Sequence, residues 1–502
     1  MIFKIVIKKN ILNLIQNQCK KKPNHIFLED IDGRKFDLKK IYSFILKFNN
    51  FINKKKIKHQ TKIFVILENS NLLTLLFLAI TSSQRIFVPI NPSSGNDEIN
   101  YIFKKLKPKI IITEKLFIKK IPKNFKKKII EVKSEDKFIS EIFKNKDKRI
   151  KLSNINNIAE ILFSSGSTGK PKAIVLTHAS MMHNLIGIYK QIKFEKNKNY
   201  LAVTPVYHNN GQFIPTLIPL LTFGKTIPVN SLASIANFWN LIKLKNINYS
   251  SVMVTHINYL YYNKIKTTHN LKALFCGGAK LDLDIQKKFS AFFKVRVLTN
   301  YGLTETSSIA ATETFNNFNT GSAGKPLFNN QIKINKLKVE EYGEVLIKGK
   351  NIFKKYYGQK KITNKKLRSG WFSTGDLGSF DKKGNLFIKD RLDSMFVVSG
   401  ENIYPNEIEN YANNFSGIKN SFVTSVLDKI TSKKIVIIYE GKKKISIDKL
   451  NLFLSKKISN FKLPKKIWHI SDLKIKEIPK APNGKILRNK FNELLRFNKG
   501  FN

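Results

Sequence analysis

Nine consecutive residues, Ser164-Ser165-Gly166-Ser167-Thr168-Gly169-Lys170-Pro171-Lys172, bring together two glycines, four hydroxyls and two lysines. A loop of this kind has many donors and little bulk. It can wrap an anion with backbone N–H groups and complete the shell with hydroxyls and ammonium groups. The P-loop pattern does not fit. That pattern needs Gly where Ser164 stands and a Ser or Thr where Pro171 stands. Pro171 also biases Lys170 away from the α region. The apolar run Ile161-Leu162-Phe163 leads in, and Ile174-Val175-Leu176-Thr177 leads out. The pattern therefore predicts a hairpin with a phosphate-type turn. A flexible Ser/Gly surface loop is the competing reading.

The elements around this loop alternate. The run from Lys62 to Leu67 reads as a buried strand, Asn71 to Thr81 as a helix, and Arg85 to Ile90 as a strand stopped by Asn91-Pro92. Ile99 to Leu106 reads as a helix and Lys109 to Thr113 as a strand. Strands separated by helices imply βαβ units and a parallel sheet. The rhythm resumes with strands at Tyr200–Val203, Ser251–Val254 and Ala273–Phe275. Between about Lys333 and Lys389 the runs shorten, as in Gly343 to Gly349, and suggest a small antiparallel or barrel-like portion. A lighter, lysine-rich α+β region follows, with a boundary near Arg391 to Ser394. The expected class is α/β: a large multi-sheet domain over 1–390 and a smaller domain over 391–502.

At 502 residues the chain is long enough for two or more domains. Its net charge of +55 first suggests a nucleic-acid or anionic-membrane partner. Composition argues against that class. Lys outnumbers Arg about tenfold, whereas base readers favour the guanidinium fork. The lysines are also dispersed, as at 54–56, 126–128 and 442–444, and read as solvated faces. No nucleic-acid partner is expected. Two cysteines, Cys19 and Cys276, allow neither a disulfide framework nor a cysteine-based zinc site. The segment after Met1 lacks a signal-peptide pattern. The apolar stretch Leu72 to Ile80 is too short to span a bilayer. The expectation is a cytoplasmic protein with no membrane span.

Four downstream segments, and a fifth near the end, stand in order with the opening loop. They are Asn300-Tyr301-Gly302-Leu303-Thr304-Glu305, Gly370-Trp371-Phe372-Ser373-Thr374-Gly375-Asp376, Asp390-Arg391-Leu392-Asp393, the run Ser399 to Glu409, and Pro479-Lys480-Ala481-Pro482-Asn483-Gly484-Lys485-Ile486. Together they resemble the adenylate-forming (AMP-binding) superfamily, which includes acyl-CoA synthetases, firefly luciferase and peptide-synthetase adenylation domains. The resemblance spans nearly the whole chain.

That resemblance implies an enzyme that activates a small-molecule carboxylic acid with Mg-ATP to an acyl adenylate, then passes the acyl group to a thiol. The implied fold is an N-terminal adenylation domain and a mobile C-terminal lid. Ser164, Ser165, Gly166, Ser167, Thr168, Gly169, Lys170 and Lys172 match the phosphate cradle. Thr304 matches a phosphate-contacting hydroxyl and Glu305 the Mg²⁺ ligand, a hard oxygen donor suited to Mg²⁺ beside phosphates. Tyr301 matches the residue that stacks on adenine, and Gly277, Gly278 and Ala279 the small stretch beside the base. Asp376 and Arg391 match the ribose ligands. Lys485 matches the catalytic lysine: a carboxylate attacking the α-phosphorus brings two anions together, and a bridging cation lowers that barrier. Asp393 matches the hinge. His208, Asn184, Gly302 and Met181 are candidates for the acyl-pocket wall.

The stretch from Gly400 to Pro405 resembles the CoA synthetase branch, as does the run from Gly321 to Leu327. The implied cofactors are ATP, Mg²⁺ and CoA. A stand-alone enzyme that loads a carrier protein's phosphopantetheine thiol is the closest alternative, and a basic nucleic-acid or membrane-surface binder is the alternative of another class. The chain departs from the family pattern at Ala173, Asp390, Ser394, Ser399 and Ala481, and none of these removes a charged site residue.

Overall fold

The structure, a computed structural model, describes residues 10–152, 154–164, 171–230, 235–265, 267–336, 342–392, 394–398, 401–428, 432–458, 460–480 and 486–496. These divide into two compact units. The first takes the described residues up to 164 with 171–331 and 347–372, and the second takes 332–346 and 373–496.

Two large sheets build the first unit. One has nine strands, in the order Lys325–Pro326, Ala311–Thr312, Arg296–Tyr301, Ala273–Gly277, Tyr249–Met253, Asn199–Ala202, Lys225–Pro228, Ile26–Glu29 and Lys35–Asp37. Its centre is parallel, with Phe275 opposite both Ser251 and Leu298. The other has seven strands, in the order Lys355–Tyr356, Lys172–Thr177, Ile158–Ser164, Ile86–Pro89, Lys62–Ile66, Ile110–Glu114 and Ile129–Val132. Here Phe64 lies opposite Val88 and Ile111 in parallel pairing, as the βαβ rhythm predicts.

The helix Asn71–Ser82 packs against strands of both sheets, Ile86–Pro89 and Lys225–Pro228. All of its residues are buried, which explains an apolar run with no polar face. The stretch that is too short for a membrane is therefore the centre of the core. Among the described residues no helix is long and apolar enough to cross a bilayer. The helix Leu38–Lys54 covers the same core, started by Asp37, whose carboxylate accepts from Lys40 N at 2.7 Å. Cys19 and Cys276 are both free.

The antiparallel portion expected before Lys389 is a five-stranded sheet that includes Gly343–Gly349, Trp371–Phe380 and Leu386–Arg391. Trp371–Phe380 and Leu386–Arg391 pair antiparallel, with a bulge between Leu377 and Gly378. The rest of the second unit is α+β. Asn420–Asp428 and Ser432–Glu440 pair antiparallel, Lys466–His469 joins in parallel, and the helices Pro405–Ala412, Ile447–Ser455 and Arg488–Arg496 belong to the same unit.

Candidate active site

The strands that flank the opening loop pair as a hairpin ladder, as the sequence predicts. Ile158–Ser164 and Lys172–Thr177 run antiparallel, and the ladder ends with Ser164 opposite Lys172. Ser165, Gly166, Ser167, Thr168, Gly169 and Lys170 lie outside the described residues. A short third strand, Lys355–Tyr356, pairs with Lys172–Thr177 and sets Tyr356 opposite Ile174. Two further bonds hold that segment, Lys354 N to Val175 O and Tyr357 N to Ala173 O, both at 2.8 Å.

Tyr356 joins two residues that the sequence reading kept apart. Lys172 Nζ lies 5.6 Å from the centroid of its ring. Its hydroxyl donates to Glu305 Oε1 at 2.9 Å. Phe353 N donates to the backbone oxygen of Glu305 at 2.8 Å. The carboxylate is thus fixed at the hairpin strand that carries Lys172. Tyr356 was not among the expected site residues. No local pattern marks it: it sits in a Lys-Lys-Tyr-Tyr run, and its partner is far away in sequence.

Glu305 sits in a single 3₁₀ turn, Thr304–Thr306. Thr306 Oγ1 accepts from Leu303 N and donates to Leu303 O, both at 2.9 Å. The chain then folds back sharply through Ser307 at φ 61° and Ser308 at φ 147°. A Cβ on Gly302 would lie 1.7 Å from Ser308 O, so this reversal requires glycine. Asn184 is wholly buried behind the turn. Its Nδ2 donates to Ile309 O at 2.6 Å and to Thr306 O at 3.3 Å, while its Oδ1 accepts from Ile309 N. Asn351 Nδ2 adds a bond to Thr306 O at 3.0 Å. The amide of Asn184 is therefore committed to the backbone beside Glu305. Met181 is also wholly buried.

The remaining first-unit candidates emerge from one edge of the nine-stranded sheet. Ala273–Gly277 and Arg296–Tyr301 are parallel neighbours, with Cys276 opposite Thr299. Gly277 to Ala279 and Tyr301 to Glu305 thus leave at the carboxyl ends, the edge where open α/β sheets receive ligands. A Cβ on Gly277 would lie 2.2 Å from Asn300 Oδ1. Gly278, at φ 86°, and Ala279 are exposed beyond the strand.

His208 follows the strand Asn199–Ala202, which lies beyond Tyr249–Met253 in the same sheet, is exposed, and stands before the short helix Asn209–Gln212. Its loop is anchored by Gln212, whose Nε2 donates to Glu160 Oε2 at 2.7 Å and to Val206 O at 2.9 Å. Glu160 is wholly buried, and burial pushes its pKa up to about 8.

In the second unit, Asp376 and Arg391 meet. They are register partners, with Arg391 Nη1 donating to Asp376 Oδ1 at 2.8 Å. Asp390, one of the departures from the family pattern, is buried and accepts from Arg391 N and from the backbone and side-chain nitrogens of Asn406. Asn406 in turn accepts from Arg488 Nη2 at 3.0 Å, and Arg488 pairs with buried Glu409. Sequence reasoning missed this network as well. Asp393 and Lys485 lie outside the described residues. The flanks of Lys485 are pinned: Lys480 bridges to Ile486, and Leu487 N donates to Pro479 O at 2.9 Å.

Among the described residues no three His, Cys, Asp or Glu side chains converge on one point. A lone, oriented carboxylate suits Mg²⁺, which is held by one or two carboxylates together with substrate phosphates rather than by a protein cage. Glu305, beside the Lys172 hairpin, fits that requirement.

The AMP-binding enzyme family model matches residues 15–357, more than half of the chain. The chain belongs to the AMP-binding enzyme family. Curated relatives of this AMP-binding enzyme include the 2-succinylbenzoate–CoA ligases of Staphylococcus aureus strains JH9 and MSSA476. Each is 29% identical over 339 residues, which is 67% of this chain and 67% of the relative. Solved structures share the fold. O-succinylbenzoate CoA synthetase from Bacillus subtilis, in complex with the acyl-adenylate intermediate OSB-AMP, superposes with a TM-score of 0.84 at 20% identity, over 95% of this chain and 97% of that one. ATP-bound MatB from Rhodopseudomonas palustris gives 0.86 at 20% identity, over 98% and 100%. The Mycobacterium tuberculosis fatty acyl CoA synthetase gives 0.75 at 20% identity, over 96% and 98%.

Proposed function

We propose that this AMP-binding enzyme is an ATP-dependent acyl- or aryl-CoA ligase that forms AMP. It activates a carboxylic acid as its acyl adenylate and then transfers the acyl group to CoA. The observation that carries this reading is the assembly of Lys172, Tyr356 and Glu305. Through Tyr356 it sets one oriented carboxylate beside the strand of the phosphate-type hairpin that begins at Lys172. That the curated relatives are CoA ligases supports the second half of the reaction.

In this reading the loop from Ser164 to Lys170, with Lys172, holds the β- and γ-phosphates through backbone N–H, hydroxyl and ammonium groups. Thr304 donates to phosphate, and Glu305 would hold Mg²⁺. That ion, when bound, supplies charge neutralisation on the phosphates. Tyr301 stacks on adenine, and Gly277, Gly278 and Ala279 let the backbone approach the base. Asp376 and Arg391 bind the ribose hydroxyls; an ionised carboxylate can accept from both. Lys485 bridges the attacking carboxylate and the α-phosphate, where negative charge accumulates. We assign residues 1–390 to the adenylation domain and 391–502 to a lid that turns about Asp393. His208 and Gly302 stand nearest the acyl group.

A pyrophosphate-release screen tests the reading. Fatty, aromatic and dicarboxylic acids, 2-succinylbenzoate among them, are offered with ATP and Mg²⁺, and with either CoA or a phosphopantetheinylated carrier protein. Acid-dependent pyrophosphate release followed by a CoA thioester supports it. Thioester on the carrier protein alone moves the chain to the carrier-loading class. Release with no acid overturns the proposal.

A further inference from the structure

We infer that Tyr356 is a positioning residue for the metal-binding carboxylate of Glu305. The inference rests on the reading of Glu305 given above.

The ring of Tyr356 already has structural work to do. Its centroid is 4.6 Å from that of Phe353, it lies beneath Lys172, and it is 2% exposed. A phenylalanine would serve all of those contacts. The hydroxyl is the part that packing does not need. A buried hydroxyl without a partner is costly, and the bond to Glu305 Oε1 at 2.9 Å provides one.

The bond fixes one carboxylate oxygen of Glu305 and so helps set the plane of the group. The same short segment grips Glu305 twice, because Phe353 N holds the backbone oxygen at 2.8 Å while Tyr356 holds the side chain. Lys355–Tyr356 is itself paired to the strand that begins at Lys172. Carboxylate orientation is thereby tied to the hairpin strand that begins at Lys172. Outer contacts of this kind to a metal ligand are worth roughly 10–100-fold in metal affinity or activity.

The test uses the full-length chain saturated with ATP and titrated with Mn²⁺, a paramagnetic stand-in for Mg²⁺, with binding followed by electron paramagnetic resonance. Tyr356→Phe removes only the hydroxyl. Tyr357→Phe is the control, because the Tyr357 hydroxyl accepts from Lys62 Nζ at 3.0 Å instead. Glu305→Gln is the reference, and each variant is titrated well below its own Tm. Weaker Mn²⁺ binding by roughly 10–100-fold in Tyr356→Phe, with Tyr357→Phe like the wild type, is the expected result. If Glu305→Gln weakens Mn²⁺ binding and Tyr356→Phe does not, the positioning role is overturned and the assignment of Glu305 survives. If Glu305→Gln binds Mn²⁺ as the wild type does, the assignment of Glu305 falls, and the inference falls with it.

Discussion

Asp376 and Arg391 are register partners across an antiparallel ladder, with Arg391 Nη1 2.8 Å from Asp376 Oδ1. Arg391 also donates to Thr374 O at 3.1 Å, so the guanidinium is held at two points and orients the carboxylate. In the proposed role of ribose ligand, that carboxylate would accept bonds worth roughly 1.5–3 kcal/mol each. Asp376→Ala is therefore expected to raise the KM for ATP by roughly 10–100-fold in ATP–pyrophosphate exchange. Asp376→Asn, which keeps one acceptor oxygen, should lose less.

Lys485→Ala should cut acyl-adenylate formation by roughly 10²–10³-fold, the usual cost of removing one electrostatic group from a transition state. Thioester formation from a supplied acyl adenylate should be largely spared. Equal loss in both half-reactions would falsify the assigned role.

Glu160 carries a pKa of about 8 in the fold, against an ordinary value of 4.5. Between these values the folded chain keeps a proton that the unfolded chain has released. Unfolding therefore sheds a proton, and stability falls as pH rises through this window, by about 1.4 kcal/mol per pH unit for one group. Glu160→Gln cannot ionise and should remove that slope. Urea unfolding of both proteins at about pH 6 and about pH 8 reads the difference, which should move toward the variant by about 2–3 kcal/mol.

Asn184→Ala should destabilise the fold by about 2–3 kcal/mol, because it removes the side-chain partner of the buried Ile309 N and O and leaves Thr306 O to Asn351 alone. The ranking of acid substrates should stay the same. A changed ranking would instead assign Asn184 to the acyl pocket.

The frame of the molecule was readable from sequence where burial and pattern coincide. Lys62–Ile66 and Asn71–Ser82 are legible because one is a strand covered on both faces and the other a helix wedged between sheets, so both print continuous apolar runs. The same property blurred a boundary. The run read as a strand to Val254 is a strand only to Met253, and the helix Val254–Asn263 starts at once with no Gly or Pro between them. The hairpin around the opening loop was legible from its apolar flanks. The supports of the site were not. Tyr356, Asn184 and Arg488 act on partners distant in sequence, and such pairings leave no local spacing to read. Each was visible only once the sheets had set the register.

The clasp between Asp390 and Asn406 has a kinetic consequence. These two residues lie on opposite sides of Asp393 in the chain, and Asp390 accepts from both the backbone and the side chain of Asn406. In the proposed reading, in which the chain turns about Asp393, that turn would have to open this clasp before thioester formation, and the time for its release would then set a floor under the turnover time.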